Sequence, residues 1–461
     1  MTSFWDYKVW GSINLIAVLM LSLLLANLLK RKIKFLQKTL IPTPVLGGLL
    51  LLVIATIYES AAGNILFNTA FFGEDGTTLM EMITYHCLAL GFIATSFKPS
   101  KERMNKKRSV EVLNTGITTV ATYLIQAIIG MGITILVAQF IMKDLFPVSG
   151  LLLPFGYGQG TGQAMNYGNI YEVDYGFVGG KNFGLTIAAL GFLSASIGGV
   201  IHLHILKKKG PFVPGGDETA ELYTSDDIQT QDEIPMNGSM DKLTIQVGFV
   251  LMAYVASYFI MWGLGALLPG LRSILYGFNF LFGVLITVAI NSVLSVLRRN
   301  KIMNHQYVNG FLMDRISGFF FDMMIVAGIA AIRLDALKNY WIILLVLGVL
   351  GLVSTYLYVL FVCNKLFPEY KHEQFMVMYG MLTGTACTGV ILLKEVDRKL
   401  ATPASENLVY QNVPAMALGF PMMIVATMAP MQPVLTLIIV IMYFIALNIL
   451  LFRNKIFKKK K

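Results

Sequence analysis

GLLLPFGYGQGTGQAMNYGNIYEVDYGFVGG, residues 150–180, opposes a continuous helix. Gly156, Gly158, Gly160 and Gly162 take alternate positions, four glycines in seven residues, and each glycine inside a helix costs about 1 kcal/mol relative to alanine. Yet the flanks are apolar. Irregular backbone at membrane depth survives only where protein or a watery cavity satisfies its polar groups. The economical reading is a re-entrant hairpin within 148–182, entering from outside and lining a cavity. Gln159, Thr161, Gln163 and Asn166 then supply amides and hydroxyls. Carbonyls and hydroxyls suit sodium; amides and helix N-termini suit a carboxylate. The blander alternative is that the glycines serve only close helix packing. A dinucleotide fingerprint is excluded, because GxGxxG starting at Gly156 or Gly158 needs glycine where Thr161 or Gln163 stands.

The rest of the chain is built for a lipid bilayer. Of its 461 residues, 56% are hydrophobic and 13% charged, far from the balance of a soluble domain. Apolar runs of about 18 residues or more place eleven spans: 10–29, 40–58, 79–97, 113–141, 183–206, 242–268, 273–297, 317–335, 339–363, 413–430 and 433–452. Trp5, Tyr7 and Trp10 read as interface anchors of the first span. The opening residues MTSFWDYKVW lack the basic region of a cleavable signal peptide.

Lysine and arginine set the orientation. With the N-terminus outside, the basic residues between 30 and 38, the run KPSKERMNKKR at 98–108, those at 207–209, Arg298, Arg299 and the tail 453–461 all fall in the cytoplasm, as the positive-inside rule requires. The net charge of +10 is thereby explained with no nucleic acid. The expectation is a multi-pass protein of the plasma or inner membrane with a cytoplasmic C-terminus.

Residues 207–241 are rich in glycine and proline and then acidic, and read as a solvated cytoplasmic linker. It separates an N-terminal unit, 1–206, from a C-terminal unit, 242–430; residues 431–461 add one helix and a basic tail. Each unit runs as four spans, a glycine-rich broken segment and a fifth span, but from opposite starting sides. Such an inverted repeat is a transporter signature. The second broken segment is QFMVMYGMLTGTACTGVILLKEV, 374–396, punctuated by Gly380, Gly384 and Gly389, with Thr383, Thr385 and Thr388 at its centre. Both its ends fall inside, so it is the inverted partner of the first. Two tips meeting near the midplane make a site reachable alternately from each side. The alternative is an ordinary small-residue helix whose threonine hydroxyls bond their own backbone.

Asp322 stands inside span 317–335, where a carboxylate is costly unless paired or facing a cavity. It either binds a cation, relays a proton, or stays wet near the cytoplasmic end. Lys394, Glu395 and Asp397 read as a solvated exit, and 303–316 as a short interfacial helix. Cys87, Cys363 and Cys387 give no disulfide framework. There is no HExxH and no nucleophile–base motif, so a membrane enzyme is disfavoured, as is a passive channel, and no chemistry is expected.

The sequence resembles the sodium/glutamate symporters. The likeness is collinear over about 35–430: IPTPVLGG at 41–48, LGFIATSF at 90–97, GQGTG at 158–162 followed by Gln163–Ala164, the glycine-rich span at 191–199, and the Gly/Thr segment at 380–389. Gly160, Thr161 and Gly162 match the family's first signature by position, with Gln159 where that signature usually carries histidine. Thr383, Gly384, Thr385 and Thr388 match the second loosely, without its usual proline. The resemblance implies two inverted five-span repeats, a homodimer and an elevator-like movement. It also implies symport of a small organic anion, glutamate first, with Na+ as the coupling ion; the tip hydroxyls of Thr161 and Thr385 are then the expected sodium contacts. The alternative is a proton-coupled carrier or exchanger of dicarboxylates that uses Asp322.

Overall fold

The computed structural model describes residues 3–97, 106–209, 233–235, 240–397 and 402–456. Most of the linker (210–232 and 236–239), the basic residues at 98–105 and the tail 457–461 lie outside the described residues. Among those described, the fold is helical: α1 (Tyr7–Lys32), α2 (Lys34–Lys38), α3 (Thr43–Ala62), α4 (Gly76–Phe97), α5 (Lys106–Phe140), α6 (Leu152–Tyr175), α7 (Gly180–Lys209), α8 (Lys242–Leu267), α9 (Arg272–Gly277), α10 (Asn279–Arg299), α11 (Gly310–Ala330), α12 (Trp341–Leu366), α13 (Lys371–Thr383), α14 (Ala386–Lys394), α15 (Ala404–Tyr410), α16 (Asn412–Met428) and α17 (Pro433–Leu451).

Nine of the described helices are long and apolar enough to cross a membrane, or ten if α15 and α16, bent by 49°, count as one broken span. The expected spans outside the nine are 413–430, which is α16, the C-terminal member of that bent pair, and 317–335. The second is a real helix, but it starts at Gly310 and ends at Ala330, so it takes in Asp314 and Arg315 besides Asp322. Residues 303–309 are not helical, and the separate interfacial helix expected at 303–316 does not form; its C-terminal half is the first turns of α11.

The chain forms two compact units, one of Met1–Thr78, Met104–Gly216 and Gly328–Lys461, the other of Leu79–Arg103 and Asp217–Ala327. In the first, α7 is the central element. Its membrane-length stretch is 67% buried, against 22% for those of α1 and α17, which keep one buried stripe (Leu15 and Leu19, Leu447 and Leu451) and leave residues such as Leu21, Leu24, Ile438 and Ile445 exposed, as lipid-facing side chains must be. In the second unit, Leu90, Ile93 and Phe97 of α4 pack with Val250 and Ala253 of α8 and with Met313 and Ile316 of α11.

The second unit also holds the end of the linker. Glu233 accepts from Lys242 Nζ at 2.8 Å and from Asn309 Nδ2 at 2.6 Å, while Ile234 N–H donates to the Gln306 carbonyl. The Lys242 side chain is 1% exposed and that of Glu233 5%. Thus 233–235 are tied down rather than solvated spacer. Glu233→Ala leaves a buried ammonium without its counter-charge, which costs about 3–5 kcal/mol. The expected outcome is a lower melting temperature in detergent; an unchanged melting curve would show that the pair is not formed in solution.

Candidate functional site

Both glycine-rich segments are helical hairpins. In α6, Gly160 has φ 80° and ψ −170°, a region essentially closed to residues with a Cβ. The break turns the chain back on itself. Phe155 and Tyr167 stack with ring centroids 3.7 Å apart, whereas a straight helix would separate residues twelve apart by about 18 Å. The limbs are therefore 152–159 and 161–175. Tyrosines fix the second limb: the hydroxyls of Tyr167, Tyr171 and Tyr175 donate to the carbonyls of Met423, Ala426 and Thr427 on α16 at 2.8–2.9 Å. Of the four alternate glycines, Gly160 alone breaks the helix. Gly156 lies against Ile187 and Ala188 of α7, and Gly158 against the Tyr123 ring, so for these two the packing reading is the right one.

The second hairpin is α13 and α14, joined by Gly384 (φ −151°, ψ −107°) and by Thr385, which is extended and caps α14. Its limbs run back to back: a Cβ on Gly380 would stand 2.8 Å from Gly389 Cα. Thr385 Oγ1 lies 3.4 Å from Thr388 Oγ1. The Thr383 hydroxyl donates to its own backbone at Tyr379, 2.6 Å away, so for this threonine the blander reading holds.

The two hairpins converge on one turn of α7. Tyr157 Oη lies 2.8 Å from Ser194 Oγ, and Tyr379 Oη donates to the Ser194 carbonyl at 2.9 Å. A turn away, a Cβ on Gly191 would stand 2.7 Å from the Thr383 carbonyl oxygen and 3.1 Å from the Tyr157 ring. Only glycine admits both hairpins there. Helix α5 also reaches each of them. Tyr123 Oη donates to the Gly158 carbonyl at 3.1 Å, and Gln126 Nε2 to the Leu382 carbonyl at 3.0 Å.

The expected site residues fall as follows. Gln159, half-buried, ends the first limb, and Gly160, Thr161, Gly162, Gln163 and Asn166 are buried at the break and on the second limb. Asn166 Nδ2 contacts Gln163 Oε1 at 3.4 Å, and Gln163 Nε2 is buried with no partner among the described residues. Thr383, Gly384 and Thr388 are buried, whereas Thr385, Ala386 and Cys387 at the second tip are partly or fully exposed. All of these belong to the first unit. Asp322 belongs to the second, half-buried and roughly three turns into α11.

Sequence reasoning missed Tyr123, Gln126, Tyr157, Gly191 and Ser194. Gln126 alone carried a legible signal, an amide in the middle of a membrane span. At the exit expected to be solvated, Lys394 is exposed but Glu395 and Asp397 are half-buried. Burial pushes the Glu395 carboxyl up, with Lys207 and Lys30 pulling the other way. Asp397 caps the Thr402 N–H at 2.8 Å.

Each tip joins the C-terminus of one short helix to the N-terminus of another. The first presents carbonyls, the second N–H groups, that the helices leave unpaired. One tip thus offers ligands to a cation and donors to a carboxylate. Among the described residues no group of three or more His, Cys, Asp or Glu is placed to hold a metal ion; the oxygens at the tips are neutral carbonyls, amides and hydroxyls, a set suited to a hard cation rather than zinc. A family model described as sodium/glutamate symporter matches residues 10–386, a stretch that holds the first hairpin entire and the second to just past its tip. No curated protein matches the chain.

Proposed function

The chain belongs to the sodium/glutamate symporter family, and from that premise we propose that its two hairpin tips form the site where sodium and glutamate are carried across the membrane. The observation that carries this reading is the convergence of both breaks on Gly191 and Ser194 of α7. Carbonyls ending the limbs 152–159 and 371–383, with the hydroxyls of Thr161 and Thr385, take the sodium ion. N–H groups opening the limbs 161–175 and 386–394, aided by the amides of Gln159, Gln163 and Asn166, take the carboxylates, because a helix N-terminus favours negative charge.

Alternating access follows if the hairpins enter from opposite faces, the first from outside and the second from the cytoplasm, with the N-terminus outside and the C-terminus inside. The positive-inside distribution supports that orientation. The inverted repeats 1–206 and 242–430, a homodimer, and an elevator-like displacement of the hairpin-bearing unit complete the proposal. No bond is made or broken, so no catalytic group is required.

The test is uptake of labelled glutamate into proteoliposomes at constant pH. An inward sodium gradient is expected to drive accumulation, and choline in place of sodium to abolish it. Accumulation that persists in choline would replace sodium by protons and turn attention to Asp322.

A further inference from the structure

Gln126 lies on α5 one turn beyond Tyr123 and is fully buried. Its Nε2 donates to the Leu382 carbonyl at 3.0 Å and to the Thr355 hydroxyl at 2.8 Å. A backbone carbonyl only accepts, so the amide has one orientation: nitrogen toward Leu382, oxygen away from it. That oxygen, Oε1, is buried and has no hydrogen-bond partner among the described residues. An orphaned buried acceptor is expensive, and it is kept here beside Leu382, two residues before the break at Gly384. Tyr123, on the same face of α5, holds the Gly158 carbonyl two residues before the break at Gly160. The orphan oxygen therefore stands where α5 reaches toward both hairpins.

We propose that Gln126 Oε1 is the acceptor for a positively charged group of the transported set. This rests on the reading of the hairpin tips as the site and adds a third element to it. Two sources share that chemistry: the sodium ion, and the α-ammonium of an amino-acid substrate. Thr355 Oγ1 and the Leu382 carbonyl both hold Nε2, which fixes the amide and leaves Oε1 as its one open acceptor.

The experiment compares Gln126→Leu, which removes the acceptor, with Gln126→Glu, which keeps an acceptor and, when ionised, cannot donate to Leu382. Two quantities are read in proteoliposomes: the sodium half-saturation, and the preference for glutamate over glutarate, which has no ammonium. If sodium is the occupant, Gln126→Leu raises the sodium half-saturation about tenfold or more, Gln126→Glu does not, and the preference for glutamate stays. If the ammonium is the occupant, the preference collapses in Gln126→Leu and survives in Gln126→Glu, with sodium dependence unchanged. A residue that only caps the Leu382 carbonyl makes both variants fail alike; that result, or two unchanged readouts, overturns the proposal. Should Gln126→Leu not fold, Gln126→Glu decides alone: tighter binding of sodium or of glutamate supports the assignment, and anything else overturns it. Thr161→Val, run beside them, separates the two claims. Impaired uptake there leaves the hairpin site standing whatever Gln126 does, and normal uptake there removes the hairpin site itself.

Discussion

Gly160→Val abolishes sodium-driven glutamate uptake. At φ 80° and ψ −170° a residue with a Cβ costs on the order of 1–3 kcal/mol, and a β-branched residue sits at the upper end because its χ1 is already restricted. The cheapest escape is to relax toward helical dihedrals. That escape straightens α6, parts the stacked Phe155 and Tyr167 rings, and pulls the Gly158 carbonyl from Tyr123. Either the variant folds with a displaced tip or it does not fold at all. Uptake and detergent melting, measured together, tell these apart. Gly132→Ala is the control: an added Cβ there meets nothing within 4 Å, and alanine in a helix gains roughly 0.5–1 kcal/mol over glycine. Uptake by Gly160→Val at the wild-type rate would show that the break is not needed.

Thr161→Val is expected to keep the fold and lose most sodium-dependent uptake. Valine matches the shape of threonine and removes only the hydroxyl. Thr161 is fully buried and opens the second limb directly after the break. Losing an interaction with a charged group costs about 1.5–3 kcal/mol, which raises the sodium half-saturation roughly ten- to hundredfold. Thr383→Val is the contrast. That hydroxyl is spent on the Tyr379 carbonyl of its own helix, so its loss should change sodium dependence less than about threefold, the low end of what a neutral hydrogen bond is worth. Equal effects in the two variants would mean that a general loss of polarity, not a ligand, is being measured.

The contrast between these two threonines shows how far the sequence could be read. Glycine spacing announced that α6 breaks, but not that Gly160 breaks it while Gly156 and Gly158 admit neighbours; that depends on which side chains of α5 and α7 stand opposite. Span 317–335 was found and misplaced, because hydropathy weights the apolar run after Ser317 and discounts the polar turns of α11 before it. The tie between Glu233 and Lys242 was invisible for another reason. Glu233 sits in what reads as a solvated charged stretch and Lys242 only opens the span after it, while Asn309, which closes over Glu233, lies far along the chain. Ser194 and Gly191 looked like ordinary small residues of a packed span. Their role exists only because two hairpins, distant in sequence, reach the same turn of α7.

Cys387 gives the most direct measurement. It stands two residues beyond Thr385 and is exposed, while Cys87 and Cys363 are buried, so a thiol reagent on the native chain reports on the second tip, with Cys387→Ser as the blank. If the tips line the path of the solute, sodium and glutamate together must slow the modification of Cys387 markedly, sodium replaced by choline must restore the rate, and modification must block uptake. A labelling rate indifferent to sodium and to glutamate, with uptake intact after complete modification, would place the path elsewhere.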